Sequence, residues 1–232
     1  MKEWGSYFDG LGDHHPIFRA EAGDYVRKVA AALPMDRKTR VLDFGCGFGY
    51  AADMLAPKVK ELFLWDKSKN MRRYARANTA RHKNVRFLDL TDPDALSVKT
   101  GFDYILVNSV AQYMRTDDFT DWLVRWRGML APGGRLVISD LIPNDYNTMM
   151  DMSALIVFSA RNGFLTHAIR EGFSEFKRYW KTRSARPLSR IERADLRHRA
   201  DAKGLSVQFL PGNLTYRKKR ITAVLRHASH IE

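Results

Sequence analysis

Three glycines on alternate positions, within Val41-Leu42-Asp43-Phe44-Gly45-Cys46-Gly47-Phe48-Gly49-Tyr50, constrain this chain more than any other stretch. The apolar run before them reads as a buried strand, and the residues after Gly49 read as a short helix. Glycines so spaced let the backbone turn sharply and let a ligand lie against main-chain N–H groups, because no Cβ intervenes. Asp43 sets a carboxylate at the mouth of that turn. Two other glycine-rich signatures do not fit. A dinucleotide fingerprint needs its third glycine where Tyr50 stands, and a P-loop needs Lys-Ser/Thr after its last glycine.

The rest of the chain alternates around this turn. Apolar residues at Phe18, Ala22, Tyr25, Val26, Val29, Ala30 and Leu33 predict a helix that begins near Pro16 and stops at Pro34. Strands are predicted at 40–44, 59–65, 85–88, 104–107 and 135–139. Helices fall between them, one at 68–78 and one capped by Thr116 with Asp117 and Asp118 in its first turn. Ala131-Pro132-Gly133-Gly134 predicts a tight turn into the fifth strand. After an apolar, Met-rich stretch over 143–180 and a further helix over 189–203, two last strands at 205–210 and 220–225 complete the pattern. The expectation is an α/β fold, a doubly wound, mostly parallel seven-stranded sheet with a helical insertion before the last two strands. One domain is expected over 1–232, with an N-terminal arm and helix (1–36), a cofactor-binding core (38–142), an insertion (143–200) and a C-terminal strand pair (201–232). Ligands of such sheets bind beyond the carboxyl ends of the strands. Those ends carry Asp43, Asp66, Asp89, Asn108 and Asp140. Each alone fits a turn residue; five at one edge point to a shared site.

Charge is uneven. The net is +13, and residues 143–232 hold 17 Lys/Arg against 8 Asp/Glu, whereas residues 1–142 hold 22 against 18. That excess suits an anionic partner or simply a solvated basic surface. The single cysteine, Cys46, excludes an internal disulfide and a multi-cysteine zinc site, and it fits a reducing compartment. With no apolar run of membrane-spanning length and no basic-then-apolar leader, a cytoplasmic location is expected.

Asp43-Phe44-Gly45-Cys46-Gly47-Phe48-Gly49 resembles the first motif of the class I S-adenosylmethionine-dependent methyltransferases. The resemblance extends through Leu62-Phe63-Leu64-Trp65-Asp66, Phe87-Leu88-Asp89-Leu90, Phe102-Asp103-Tyr104-Ile105 and Leu130-Ala131-Pro132-Gly133-Gly134, covering about residues 38–142. It implies a Rossmann-like fold and S-adenosyl-L-methionine as cofactor. It also implies a ribose contact at Asp66, an adenine contact at Asp89 with the Leu90 backbone beside the ring, and a role for Asp43 near the methionine end. The spacing agrees, since Asp66 lies 17 residues beyond Gly49, near the distance at which a ribose-binding acid follows a glycine turn. Gly45, Cys46, Gly47, Phe48, Gly49, Lys67, Met71 and Asn108 complete the expected cofactor set, with Trp65 as a further packing candidate.

The acceptor is less legible. In-line methyl transfer gains mainly from alignment, and a hydroxyl acceptor also gains from a base. Candidate bases are His14, His15, Tyr113, Asp140 and, in the insertion, His167. No tight carboxylate/His cluster suggests a metal. Where amine-directed relatives of this superfamily carry Asn/Asp-Pro-Pro-Tyr/Phe, this chain reads Asn108-Ser109-Val110-Ala111. The leading expectation is transfer to a hydroxyl of a small-molecule, sugar or lipid-linked acceptor. A second is methylation of RNA or another polyanion, through Lys177-Arg178-Tyr179-Trp180-Lys181-Thr182-Arg183 and Arg217-Lys218-Lys219-Arg220. A third is a cofactor-binding protein without catalysis. Contact with an anionic membrane surface would use the same charges.

Overall fold

The computed structural model describes residues 16–90, 101–165 and 187–228. After helix α1 (Pro16–Ala32), strand β1 (Arg40–Phe44) enters the glycine turn and leads to helix α2 (Tyr50–Leu55). Strand β2 (Glu61–Trp65), helix α3 (Lys69–Thr79) and strand β3 (Val85–Phe87) follow, then strand β4 (Phe102–Asn108), helix α4 (Thr116–Met129) and strand β5 (Leu130–Leu141). Helix α5 (Thr148–Arg161), helix α6 (Arg193–Asp201) and strands β6 (Leu205–Phe209) and β7 (Ile221–His227) close the chain. The seven strands form one sheet in the order β3-β2-β1-β4-β5-β7-β6. All neighbours from β3 to β5 are parallel, and only the pairings of β7 are antiparallel. The chain therefore steps outward one way from β1 and the other way from β4. The crevice between β1 and β4 is the switch point where such sheets hold ligands.

Two apolar layers cover the sheet. On one face Phe44 meets Trp65, Trp122 and Trp126 at centroid distances of 4.4, 4.6 and 5.0 Å. On the other, Tyr25, Val26, Val29 and Leu33 of α1 join Ala52 and Leu55 of α2 over Val41, Leu62 and Leu64. The expected α1 stripe is thus buried at Tyr25, Val26, Val29 and Leu33, whereas Ala30, also expected on it, is exposed. Ser68 caps α3, its Oγ accepting from the Met71 N–H at 3.1 Å. Among the described residues no helix is long and apolar enough to cross a membrane.

Three local expectations need correction. Thr116 does not cap α4; Arg115 holds that position in extended geometry, and Thr116 is the first helical residue. Ala131–Gly134 is not a turn before a short strand but an irregularity inside a longer one. Leu130 already pairs with Phe102, and Arg135 next pairs with Tyr104. Gly134 is required there, since a Cβ would stand 2.5 Å from the Phe102 carbonyl oxygen. The helix expected over 189–203 is shorter. Ser189 N–H donates to the Gln112 carbonyl and Ile191 N–H to that of Ile142, each at 2.9 Å, which holds 189–191 extended until α6 begins.

Candidate functional site

At the end of β1 the three glycines adopt positive φ, +81° at Gly45, +54° at Gly47 and +79° at Gly49. Their roles differ. A Cβ on Gly45 would lie 2.3 Å from Val110 Cγ2, whereas one on Gly47 would meet nothing within 4 Å. The loop N–H groups are more committed than the sequence suggests. Gly45 and Cys46 donate to the Trp65 carbonyl at 2.7 and 3.1 Å, and Gly49 donates to Cys46 at 2.9 Å. Gly47 donates to Asp66 Oδ2 at 2.9 Å. The end of β2 thus clamps the loop, and the open ground over Gly47 comes from the absent side chain. Gly45→Ala is expected to cost about 2 kcal/mol through left-handed backbone strain and crowding of Val110. Gly47→Ala should cost about 1 kcal/mol in backbone terms alone and act mainly on ligand affinity. Thermal melts alongside ligand titrations separate the two.

Around the loop stand the carboxylates. Asp66 Oδ2 accepts from Gly47 N–H and its Oδ1, at 2.8 Å, from Ser68 N–H, and a carboxylate has about four lone-pair sites. Asp43 is buried, and burial together with the Asp66 charge pushes its carboxyl up to about 7. The Cys46 thiol is pushed well up by burial and by the same two acids, which leaves it unreactive. Asp89 is exposed just beyond β3, with Leu90 buried beside it. Lys67 is exposed, while Met71 is almost fully buried in the core. Trp65, a nucleoside-packing candidate by sequence, instead packs against Phe44 and Trp122 on the face opposite α1. Asn108 Oδ1 accepts from Ser139 Oγ at 2.9 Å, so β4 and β5 are tied where the crevice opens.

A cavity occupies the switch point. Its walls are Phe18, Glu21, Ala22 and Tyr25 of α1, Cys46 and Phe48 of the glycine loop, Tyr50 and Ala51 of α2, Asn108 and Ser109 after β4, and Thr215, Tyr216 and Arg217 between β6 and β7. The α1 residues follow i, i+3, i+4, i+7, a single face of the helix. Phe48 packs on Phe18 at 5.2 Å and on Tyr74 at 5.4 Å, seating α1 against the loop. The Tyr25 and Tyr216 hydroxyls are buried at this wall, with Ser139 and Glu21 as polar neighbours short of good hydrogen-bond geometry. Sequence reasoning missed Glu21, Tyr25 and Tyr216 as site residues. The available signal was an acid, Glu21, three residues from Phe18 and four from Tyr25 on an apolar stripe.

The candidate bases fare unevenly. His14, His15 and His167 lie outside the described residues. Tyr113 packs in a satellite cluster with Ile142, Tyr146 and Leu188 and does not line the cavity. Asp140 is corrected from base to scaffold. It is fully buried, and its Oδ1 accepts from Thr215 Oγ1 at 2.8 Å and Asn213 Nδ2 at 3.1 Å. Its Oδ2 accepts from Arg220 at 2.7 Å and Ser109 Oγ at 2.9 Å. Burial alone would raise its carboxyl, but Arg220 and Arg217 with Thr215 and Ser109 outweigh that and hold it below the usual carboxylate range. A saturated, strongly acidic carboxylate accepts no further proton near neutral pH. The same network corrects the basic patch at 217–220: Arg220 is buried between Asp140, Gln112 and Asp151, and Arg217 faces Asp140 and Asp151. Among the described residues no group of three His, Cys, Asp or Glu could hold a metal.

Comparison with known proteins agrees with this geometry. A family model described as a methyltransferase domain matches residues 42–136, the span from β1 into β5. The chain is 27% identical over 158 residues to the biotin biosynthesis bifunctional protein BioCD of Bordetella avium, covering 66% of this chain and 33% of that one. It is 30% identical over 143 residues to chondramide synthase cmdD of Chondromyces crocatus, covering 60% of this chain and 4% of that one. It thus spans a third or less of the length of these curated relatives. The structure of N-methyltransferase NodS from Bradyrhizobium japonicum WM9 with S-adenosyl-L-homocysteine superposes with a TM-score of 0.59 at 18% identity, over 98% of both chains. Residues 42–136 thus resemble a methyltransferase domain, and the superposition agrees with the fold of such a domain.

Proposed function

We propose that this protein methylates a small-molecule acceptor at a hydroxyl, with the acceptor entering the cavity between α1, the glycine loop and the 213–217 segment. The observation that carries the reading is the place of that cavity. It opens at the switch point as a partly open cleft walled by α1 and by the β6–β7 connection, with two buried phenols on its wall. S-adenosyl-L-methionine supplies an electrophilic methyl on a sulfonium. Asp66 stands just after β2 for ribose hydroxyls, Asp89 and Leu90 stand at the next strand end for adenine, and Gly47 leaves room above the loop. Adenine at β3 and ribose at β2 put the methionine end toward β1 and β4, beside Asp43 and Asn108. The acceptor side then falls in the cavity, and the chain's own contribution is to align the acceptor and exclude water.

Transfer of labelled methyl from S-adenosylmethionine to a panel of small alcohols, phenols, amines and carboxylates, with RNA as a macromolecular arm, tests the reading. Failure to bind the cofactor, or transfer to RNA alone, would sink it. NodS is named an N-methyltransferase, so the amine arm belongs in the panel.

Asp43 adds a pH signature. Its carboxyl titrates at about 7 in the free protein. It is neutral at pH 6 and charged at pH 8, and only the charged form attracts the cofactor's ammonium. The dissociation constant for S-adenosylhomocysteine is expected to fall by up to about tenfold from pH 6 to pH 8. Asp43→Asn should flatten that dependence. Stability of the free protein runs the other way. The raised carboxyl favours the fold at low pH, and that contribution is lost as pH rises through about 7.

A further inference from the structure

The cavity contains one carboxyl that the cofactor assignment leaves unused. Glu21 is the only acid, and the only side chain suited to accept a proton near neutral pH, among the described residues that line it. It sits on the cavity-facing stripe of α1, between Phe18 and Tyr25, opposite Tyr216 and Arg217. The Glu21 carboxyl and the Tyr216 hydroxyl are neighbours short of hydrogen-bond geometry.

The surrounding ion pairs do not need it. Arg220 bonds Asp140 and Asp151 at 2.7 and 2.6 Å, and Arg217 lies 3.8 Å from Asp140 and 3.3 Å from Asp151. Among the described residues Arg217 thus faces Asp140 and Asp151 as well as Glu21, which is a third acid at the edge of that network. On α1 itself Asp24 is paired with Lys28 at 2.8 Å, so Glu21 has no cation of its own there. Glu21 has Arg217 and Tyr216 as neighbours that favour its charged form, and a carboxyl kept inside the fold is costly, more so when it shares its cation with other acids.

Its position gives it a role. With adenine and ribose assigned to β3 and β2, the reacting end of the cofactor points to the wall that Glu21 faces. We propose that Glu21 faces the transferred methyl and takes the proton of the acceptor's nucleophile, an inference that rests on the methyltransferase reading above. The oxygen lone pair of an acceptor hydroxyl forms the new C–O bond. The C–S bond breaks with its electron pair left on sulfur, and the O–H proton passes to a Glu21 carboxylate oxygen. Charge balances: a sulfonium and a carboxylate become a thioether and a neutral carboxyl. The acceptor class follows. It brings a removable proton, as an alcohol, phenol or ammonium does, and a carboxylate acceptor would meet a like charge at Glu21.

The protonation equilibrium agrees in direction. Burial raises the Glu21 carboxyl, and Arg217 and Tyr216 only partly offset it, which brings the acid closer to the pH at which a base is effective. The groups that face it are Tyr216, Arg217 and Arg220 from the β6–β7 connection, Asp140 from β5 and Tyr25 from its own helix. Cys46 lies across the cavity in the glycine loop, and Asp43 stands behind it on β1.

Sinefungin provides a test that needs no acceptor, because it carries an ammonium where the cofactor carries its methyl sulfonium. Binding of sinefungin and of S-adenosylhomocysteine is measured for the wild type and Glu21→Gln. The expected result is at least a tenfold loss of sinefungin affinity in the variant, with S-adenosylhomocysteine affinity held within about threefold. Equal changes for the two ligands would overturn the proposal. Absence of S-adenosylhomocysteine binding in the wild type would instead overturn the parent reading. Should the variant fail to fold, the wild type decides. The preference for sinefungin over S-adenosylhomocysteine should grow as pH rises and Glu21 ionises, in the wild type and equally in Asp43→Asn, whereas a flat ratio refutes the assignment.

Discussion

Replacing Asp66 by alanine is expected to weaken S-adenosylmethionine binding by about three orders of magnitude while the protein stays folded. The carboxylate stands just after β2, and two charge-assisted bonds to ribose hydroxyls at about 2 kcal/mol each would give about 4 kcal/mol. Alanine also removes the acceptor of the Gly47 N–H, at 2.9 Å, and so loosens the turn on which the cofactor rests. Folding depends on it far less, because Gly45 and Cys46 remain tied to the Trp65 carbonyl. Asp66→Asn is the informative control. It keeps an oxygen for Gly47 but loses the charge, and it should fall between wild type and alanine. Calorimetric titration with S-adenosylhomocysteine beside a thermal melt measures both quantities. Unchanged affinity in the alanine variant would mean the ribose lies elsewhere.

What could be read before the structure depends on the range of the interactions involved. The sheet, its switch point and the line of polar residues at the strand ends follow from local pattern. Apolar runs end in glycine or an acid, and helical spacing intervenes. The glycine loop was legible for the same reason, since Gly45, Gly47 and Gly49 all take the positive φ that their residue type permits. What failed depends on contacts between distant residues. Asp140 looks like the other strand-end acids in sequence, yet its partners Asn213 and Thr215 stand 73 and 75 residues away. Trp65 and Asp66 are adjacent, yet the strand's alternation sends one into the core and leaves the other beside the loop. Leu130–Leu141 hid a longer strand behind Pro132 and two glycines, because the turn chemistry of those residues serves an irregularity within the β4–β5 pairing. Glu21 lay in plain view on the α1 stripe, but nothing local says whether an acid on such a stripe faces solvent or a cavity.

The misread Asp140 leads to the largest expected effect on stability. Its side chain is fully buried, its backbone holds φ +70°, and four side-chain donors converge on its two oxygens. Asp140→Ala removes one partner of a buried pair and leaves Arg220 beside a cavity, a change that typically costs about 3–5 kcal/mol. Alanine in the left-handed region adds about 1–2 kcal/mol more. The total, about 5 kcal/mol, is comparable with the whole stability of many domains, so the variant should melt well over 10 °C lower or fail to accumulate. Asp140→Asn separates the causes, because asparagine tolerates that φ and keeps one acceptor oxygen, so its loss reports the missing charge alone. The wild type should lose the same contribution only on strong acidification. The carboxyl is held below its ordinary range in the fold, so its stabilisation is present at neutral pH and lost as pH falls through the lowered value. The consequence reaches the site as well. Asp140 N–H bonds Asn213 Oδ1 at 3.1 Å, and Asn213 and Thr215 begin the segment that carries Tyr216 and Arg217 to the cavity wall. An asparagine variant that folds should therefore bind S-adenosylhomocysteine nearly as well as wild type, because the glycine loop is untouched. It should position the acceptor wall less well, which would appear as a raised KM for the acceptor.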